Sequence, residues 1–282
     1  MLEVKGRQEL REQIRAWKRD GHEVALVPTM GNLHDGHLAL VRAAREQAGR
    51  VVASIYVNPT QFGACEDLAS YPKTPEKDRE SLRQAGCDLL FAPDVETVYP
   101  LGLEQAMTLS APPDLASILE GEFRPDHFDG VVTVVLRLFN LVDPDVALFG
   151  EKDYQQLLII RRMIHDLGYA IRIHALPTVR EGGGLAMSSR NNYLDPGQKR
   201  AAESLFRVLQ DTAAFAADPG ADLSSLEKQA EERLRNHGLN ADYVAIRRAD
   251  DLGMPGEGDR SLRILAAVWC GTTRLIDNLN VN

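Results

Sequence analysis

From residue 23 to residue 176, short apolar runs alternate with longer stretches of helical periodicity, and this alternation constrains the fold more than any other feature. Residues 23–27, 51–57, 87–92, 146–149 and 171–176 read as strands, because they are brief, apolar and bounded by turn-forming residues. Between them, 37–48, 131–141 and 154–167 repeat apolar residues at helical spacing, and 75–84 reads as a charged surface helix. Strands buried on both faces carry continuous apolar runs, and parallel strands need helical crossovers. The expected fold is therefore α/β, a parallel sheet with helices on both faces.

The pattern changes after Gly182-Gly183-Gly184, which reads as a flexible connection. Two long polar helices are expected over 196–217 and 223–237, separated by Asp218-Pro219-Gly220. Strands are expected over 242–247, 262–268 and 273–277, the last two joined by a tight turn at Cys270-Gly271. Helices followed by strands, without βαβ alternation, point to a smaller α+β domain. The boundary falls near Leu176-Pro177, dividing the chain into 1–176 and 177–282, and 282 residues suffice for two cores without disulfides.

Charge narrows the partners. Lys and Arg total 32 against 41 Asp and Glu, a net charge of −9, which argues against a nucleic-acid binder and its basic face. A small anionic ligand remains compatible, because a few local cations suffice for it. Cys65, Cys87 and Cys270 are widely spaced and form no metal-binding pattern. The N-terminal residues are charged, and no 18-residue apolar run occurs. A cytoplasmic protein with no membrane partner is the expectation.

Four segments carry chemistry. Pro28-Thr29-Met30-Gly31-Asn32-Leu33-His34-Asp35-Gly36-His37 lies between a strand and a helix, at the edge where open α/β sheets bind ligands. Three residues apart at a helix start, His34 and His37 present both imidazoles on one side, next to a helix N-terminus that favours anions. There they can stabilise charge developing on a phosphoryl group. A zinc pair is the weaker reading, since H-x-x-H alone leaves the metal under-coordinated. Met187-Ser188-Ser189-Arg190-Asn191 supplies hydroxyls and a guanidinium suited to clamping phosphate, though alone it reads as a cap or turn.

Gly150-Glu151-Lys152-Asp153-Tyr154-Gln155-Gln156 again follows a strand and opens a helix. Lys152 can act as a point charge on a triphosphate, and Asp153 can cap the helix or hold a ribose. Tyr56-Val57-Asn58-Pro59-Thr60-Gln61-Phe62 ends a strand in carboxamides, and Asn58 and Gln61 suit a small polar substrate with a carboxylate and hydroxyls. Arg124 and His127 fit a pocket rim and a structured loop equally well, while His22, His165, His174 and His237 read as surface or packing residues. Each motif alone has an ordinary structural explanation. Their convergence points to one anionic, nucleotide-sized ligand.

Together these segments resemble the pantoate–β-alanine ligase family of the nucleotidyltransferase superfamily. The likeness runs over nearly the whole chain and includes E-D-L-A-S-Y-P-K-T from Glu66, E-G-E-F-R-P-D-H-F-D-G-V from Glu120 and G-T-T-R-L-I-D-N from Gly271. It implies a Rossmann-like N-terminal domain, a smaller C-terminal lid domain and a homodimer. The activity it implies is ATP- and magnesium-dependent condensation of pantoate with β-alanine through pantoyl adenylate, with release of AMP and pyrophosphate.

The resemblance also implies roles. His34, His37, Lys152 and Arg190 form the catalytic set, with His37 the proton donor. Gly150 and Asp153 meet the ribose, Val179 the adenine, and Ser188, Ser189 and Arg190 clamp phosphate. Met30, Gly31, Asn32, Leu33, Asp35, Gly36, Glu151 and Met187 complete the ATP-binding segments. Gln61 and Gln156 bind pantoate, in a region that Asn58 and Met30 also line. Val131, Val134 and Val135 would cover its gem-dimethyl group, although their spacing fits a plain core equally well. Magnesium is expected on the ATP phosphates; Asp78 is a weak candidate for a protein ligand. Gly183 stands where the family usually has an acidic residue, which predicts a more mobile clamp. Gln61, Gln156 and the C-terminal likeness argue against a transferase that stops at nucleotidyl transfer. The intact His34, His37, Lys152 and Arg190 argue against a silent nucleotide-binding protein.

Overall fold

In the computed structural model, which describes residues 1–63, 68 and 71–281, two sheets carry the chain. The first is built from β1 (Leu2–Val4), β2 (Val24–Thr29), β3 (Arg50–Ile55), β4 (Leu89–Phe91), β5 (Val146–Gly150) and β6 (Arg172–Leu176). It is parallel throughout, in the order β1-β4-β3-β2-β5-β6. Its helices are α1 (Arg7–Arg19), α2 (Asp35–Gln47), α3 (Pro75–Gln84), the single turns α4 (Val95–Val98), α5 (Pro113–Ala116) and α6 (Glu120–Phe123), then α7 (His127–Val142) and α8 (Tyr154–Asp166).

Alternation along each strand sends side chains to opposite faces. Val24 and Leu26 of β2 join the cluster built with α1, α7 and α8, while Ala25 and Val27 join Leu40 and Val41 of α2 and Leu82 of α3. The expected α/β sheet with helices on both faces is what the structure has. From β2 the chain proceeds outward through β3 to β4, and β5 and β6 lie on the other side of β2. The strand order therefore reverses between β2 and β5, the place where doubly wound sheets bind ligands beyond their carboxyl ends.

The remaining elements are α9 (Pro196–Ala216), α10 (Leu223–Asn236) and an antiparallel sheet of β7 (Asn240–Arg248), β8 (Leu262–Cys270) and β9 (Thr273–Val281). One face of this sheet (Val244, Ile246, Ile264, Ala266) packs on α9 and α10, whereas Ala245 and Leu265 join the larger sheet's core. Apolar packing thus continues across the boundary drawn at residue 176.

Several expectations are revised. The glycine run is no linker: Arg180 and Ala186 form a β-bridge, Glu181 N–H donates to the Leu185 carbonyl, and Gly184 N–H donates to the Glu181 carbonyl at 2.9 Å. Gly184 takes φ +90°, so the run makes a hydrogen-bonded turn that its backbone freedom permits. The last two strands extend further than expected and turn at Gly271-Thr272. β1 and α1 escaped notice. Leu10, Ile14 and Trp17 of α1, spaced i, i+4, i+7, are buried and carried the signal. Cys65, and Glu66, Asp67, Ala69 and Ser70 of the quoted E-D-L-A-S-Y-P-K-T segment, lie outside the described residues, while Cys87 and Cys270 are buried free thiols. Among the described residues no helix is long and apolar enough to cross a membrane.

Candidate active site

The turn from Thr29 to His37 is shaped by a buried carboxylate that the motifs did not reveal. Asp78, on α3, accepts the backbone N–H groups of Asn32 at 2.8 Å and Leu33 at 2.9 Å, and the Thr74 hydroxyl at 2.9 Å. Gly31 and Asn32 both have positive φ, +83° and +49°, so the chain reverses there and enters α2 at His34. A Cβ on Gly31 would come within 3.2 Å of the Asp78 carboxylate. Asp78 is 2% exposed, and both its oxygens accept hydrogen bonds from this turn and from Thr74. Among the described residues no group of three His, Cys, Asp or Glu side chains could hold a metal ion.

Gly31, Asn32, Leu33 and Asp35 therefore build the turn without lining the cleft, whereas Met30, His34, Gly36 and His37 line it. The imidazoles of His34 and His37 stack with centroids 3.9 Å apart. His37 Nδ1 accepts the His34 backbone N–H at 3.4 Å, which places its proton on Nε2 in the neutral ring. Gly36 lies under the His34 ring, where a Cβ would come within 3.0 Å of it. Burial, and then the Lys152 ammonium, lower His34 to a pKa of about 4. Burial, His34 and Lys152 lower His37 to about 3. Both rings are uncharged donors and acceptors at neutral pH in the ligand-free protein.

Beyond β5, Gly150, Lys152 and Asp153 line the same cleft. Glu151 does not: its carboxylate pairs with Arg263 of β8 at 2.9 Å. Gln156 lines the cleft as expected, but its neighbour Gln155 is 3% exposed and structural. Gln155 donates to the Leu115 and Ile118 carbonyls and accepts the Glu120 N–H, tying α8 to α5 and α6.

The opposite wall is Met187, Ser188, Ser189 and Arg190, with Val179 beside them. The Ser189 hydroxyl donates to the Asn32 carbonyl at 3.2 Å, joining the clamp segment to the histidine turn. The space that an acidic side chain at residue 183 would use is already filled, because a Cβ there would lie 2.2 Å from the Glu203 carboxyl.

At the far end of the cleft Gln61 donates to the Met30 sulfur at 3.2 Å and accepts from Asn58. Asn58 is displaced from its expected place: it is 1% exposed and does not line the cleft. Its amide donates to Gln61 and the Gly130 carbonyl, and its oxygen accepts from Tyr99 and Thr60, so it orients Gln61 from behind. Val131, Val134 and Val135 present the expected apolar face of α7 to the cleft. Arg124 and His127 also line it, and His127 bridges the Arg124 guanidinium at 3.0 Å and the Gln61 carbonyl at 2.8 Å. Tyr56 is a lining residue missed in the sequence, although its place at the end of a strand-forming run marked it. Its buried hydroxyl has no hydrogen-bond partner among the described residues.

The sequence matches the profile of the family described as Pantoate-beta-alanine ligase over residues 3–280. The pantothenate synthetase of Thioalkalivibrio sulfidiphilus is 52% identical over 282 residues, covering 100% of this chain and 98% of that protein. The crystal structure of pantothenate synthetase from Thermus thermophilus superposes with a TM-score of 0.92 at 45% identity, covering 100% of this chain and 99% of that one. The pantoate-beta-alanine ligase of Francisella tularensis, crystallised with β-γ ATP and β-alanine, gives 0.83 at 30% identity, covering 99% and 97%. The chain belongs to the pantoate–β-alanine ligase family.

Proposed function

We propose that the cleft is where this chain joins pantoate to β-alanine using ATP, and that its two ends divide the work. One observation carries this division. Stacked histidines, Lys152 and the Ser188–Arg190 segment occupy one end, while carboxamides and an apolar helix face occupy the other. A triphosphate suits the first end and a branched, hydroxylated acid the second.

In the first half-reaction the pantoate carboxylate oxygen attacks the α-phosphorus of ATP, and the bond to pyrophosphate breaks. Nothing covalent is asked of the protein. Positioning and charge stabilisation carry the step, with Lys152 and Arg190 as cations and His37 Nε2–H as a neutral donor. In the second half-reaction the β-alanine amine attacks the acyl carbon and AMP leaves with the carboxyl oxygen. Gln61, held by Asn58, and Gln156 orient pantoate's polar groups, and Val131, Val134 and Val135 cover its methyls. Magnesium, which neutralises phosphate charge, would enter on the nucleotide, since the described residues offer no cage for it. Residues 177–282, carrying the clamp, form the smaller domain in this reading. A homodimer, which rests on the family resemblance, and a cytoplasmic setting, which rests on the widely spaced cysteines, complete it.

Exchange of labelled pyrophosphate into ATP tests the adenylate step. Exchange that requires pantoate but not β-alanine is expected. No exchange with ATP, magnesium and pantoate present would contradict the adenylate step.

A further inference from the structure

Asp277 and Asn278 are consecutive residues of β9, so their side chains leave opposite faces of the smaller sheet. Both are buried, at 2% and 4% exposure. Each grips a different wall of the phosphate end. The Asp277 carboxylate holds Arg180 in a two-pronged pair at 2.6 and 2.9 Å, and Arg180 in turn donates to the Gly184 carbonyl at 3.0 Å. Arg180 therefore anchors the turn that leads into Met187 and the clamp. On the other face, the Asn278 amide donates to the Glu151 carbonyl at 2.9 Å and the Lys152 carbonyl at 2.8 Å. Its own oxygen accepts from Arg263 at 2.7 Å, and Arg263 also pairs with the Glu151 carboxylate and lies over the Tyr154 ring at 3.6 Å. The two grips are coupled, because the Asn278 backbone N–H donates to the Asp277 carboxylate at 2.8 Å.

We infer that Asn278 is a positioning residue for Lys152, and that the Asp277–Asn278 pair sets the spacing between the lysine loop and the clamp across the triphosphate. The inference rests on the reading of Lys152 as a phosphate-binding group. Lys152's backbone carbonyl is fixed from a strand 126 residues further along the chain, so the ammonium hangs from a backbone that this amide holds in register with the clamp. A misplacement on the order of 1 Å in such a group lowers the rate by about 10²-fold. The carboxamide is required because two carbonyl acceptors face it: a carboxylate at residue 278 would retain the acceptor for Arg263 and replace the nitrogen that carries both donors with one repelling oxygen.

The test is a double-mutant cycle on adenylate formation, using Asn278→Asp, Lys152→Ala and the combined variant of the full-length protein. Asn278→Asp is expected to lower kcat about 10- to 100-fold with KM for pantoate changed less than about twofold, and to have almost no further effect in the Lys152→Ala background. Asn280→Asp, which keeps the acceptor for Arg263 and touches neither loop carbonyl, should leave kcat unchanged. Should the carboxylate prevent folding, Asn278→Ser, which leaves one donor, enters the same cycle with the same expectation. Wild-type kcat in a folded Asn278 variant, or losses that multiply independently of Lys152, overturns the inference. A Lys152→Ala variant with wild-type kinetics instead overturns the reading of the site.

Discussion

The stacked rings of His34 and His37, 3.9 Å apart, share one half-buried corner with Lys152, and loss of solvation there, reinforced by the Lys152 ammonium, keeps both uncharged in the ligand-free protein. Both pKa values lie below the ordinary histidine value, at about 4 and about 3. Folding therefore opposes their protonation. The unfolded chain binds these protons first as pH falls below about 6.5, so stability is lost progressively from there down to the folded values, and above it the pair adds no pH dependence. Each imidazole contributes a slope of up to about 1.4 kcal/mol per pH unit within that window. Urea midpoints between pH 7 and pH 5 should fall less steeply for His37→Asn than for the wild type; parallel curves would contradict the assignment.

His37→Ala removes the Nε2–H donor while leaving the α2 backbone in place. Removing one preorganised donor to a developing oxyanion typically lowers kcat by about 10²-fold or more. That loss is expected in the adenylate half-reaction, with KM for pantoate near wild type. Near-normal kcat would reject the role.

The two adjacent glutamines of α8 separate binding from stability. Gln156→Ala should raise KM for pantoate and leave unfolding almost unchanged. Gln155→Leu should do the reverse, because it strands the Leu115 and Ile118 carbonyls and the Glu120 N–H at about 1–3 kcal/mol per buried group. Chemical denaturation beside steady-state kinetics distinguishes them, and a raised KM in a stable Gln155 variant would place the wrong glutamine at the substrate.

Gly183 gives a reciprocal test. Gly183→Asp should raise KM for ATP, since its Cβ would lie 2.2 Å from the Glu203 carboxyl, which must swing aside and then faces a like charge beside the clamp turn. Gly183→Asp combined with Glu203→Ala should recover most of that loss. An unchanged KM and kcat in Gly183→Asp alone would show that the turn tolerates the crowding.

Local patterns revealed the parts of the fold and site that local physics fixes. The apolar runs 23–27, 51–57 and 146–149 correspond to β2, β3 and β5, and the motifs after them meet at one edge because parallel strands share a direction. Long-range bonding was not legible. Asn58 and Gln61 look equivalent in sequence, yet one lies behind the other, because Tyr99 and Gly130 claim the Asn58 carboxamide. Asp78 lies 46 residues from Asn32, and Asn278 lies 126 from Lys152, so no spacing rule links either pair. The glycines after Arg180 suggested looseness only because Asp277, which restrains that turn through Arg180, is 97 residues away.

The most direct measurement incubates the protein with ATP, magnesium, pantoate and β-alanine and follows AMP and amide product, omitting each component in turn. AMP and pantothenate should form in equal amounts, only when both acids are present. With all four components present, pyrophosphate released without amide, or ATP bound without turnover, would contradict the ligase account.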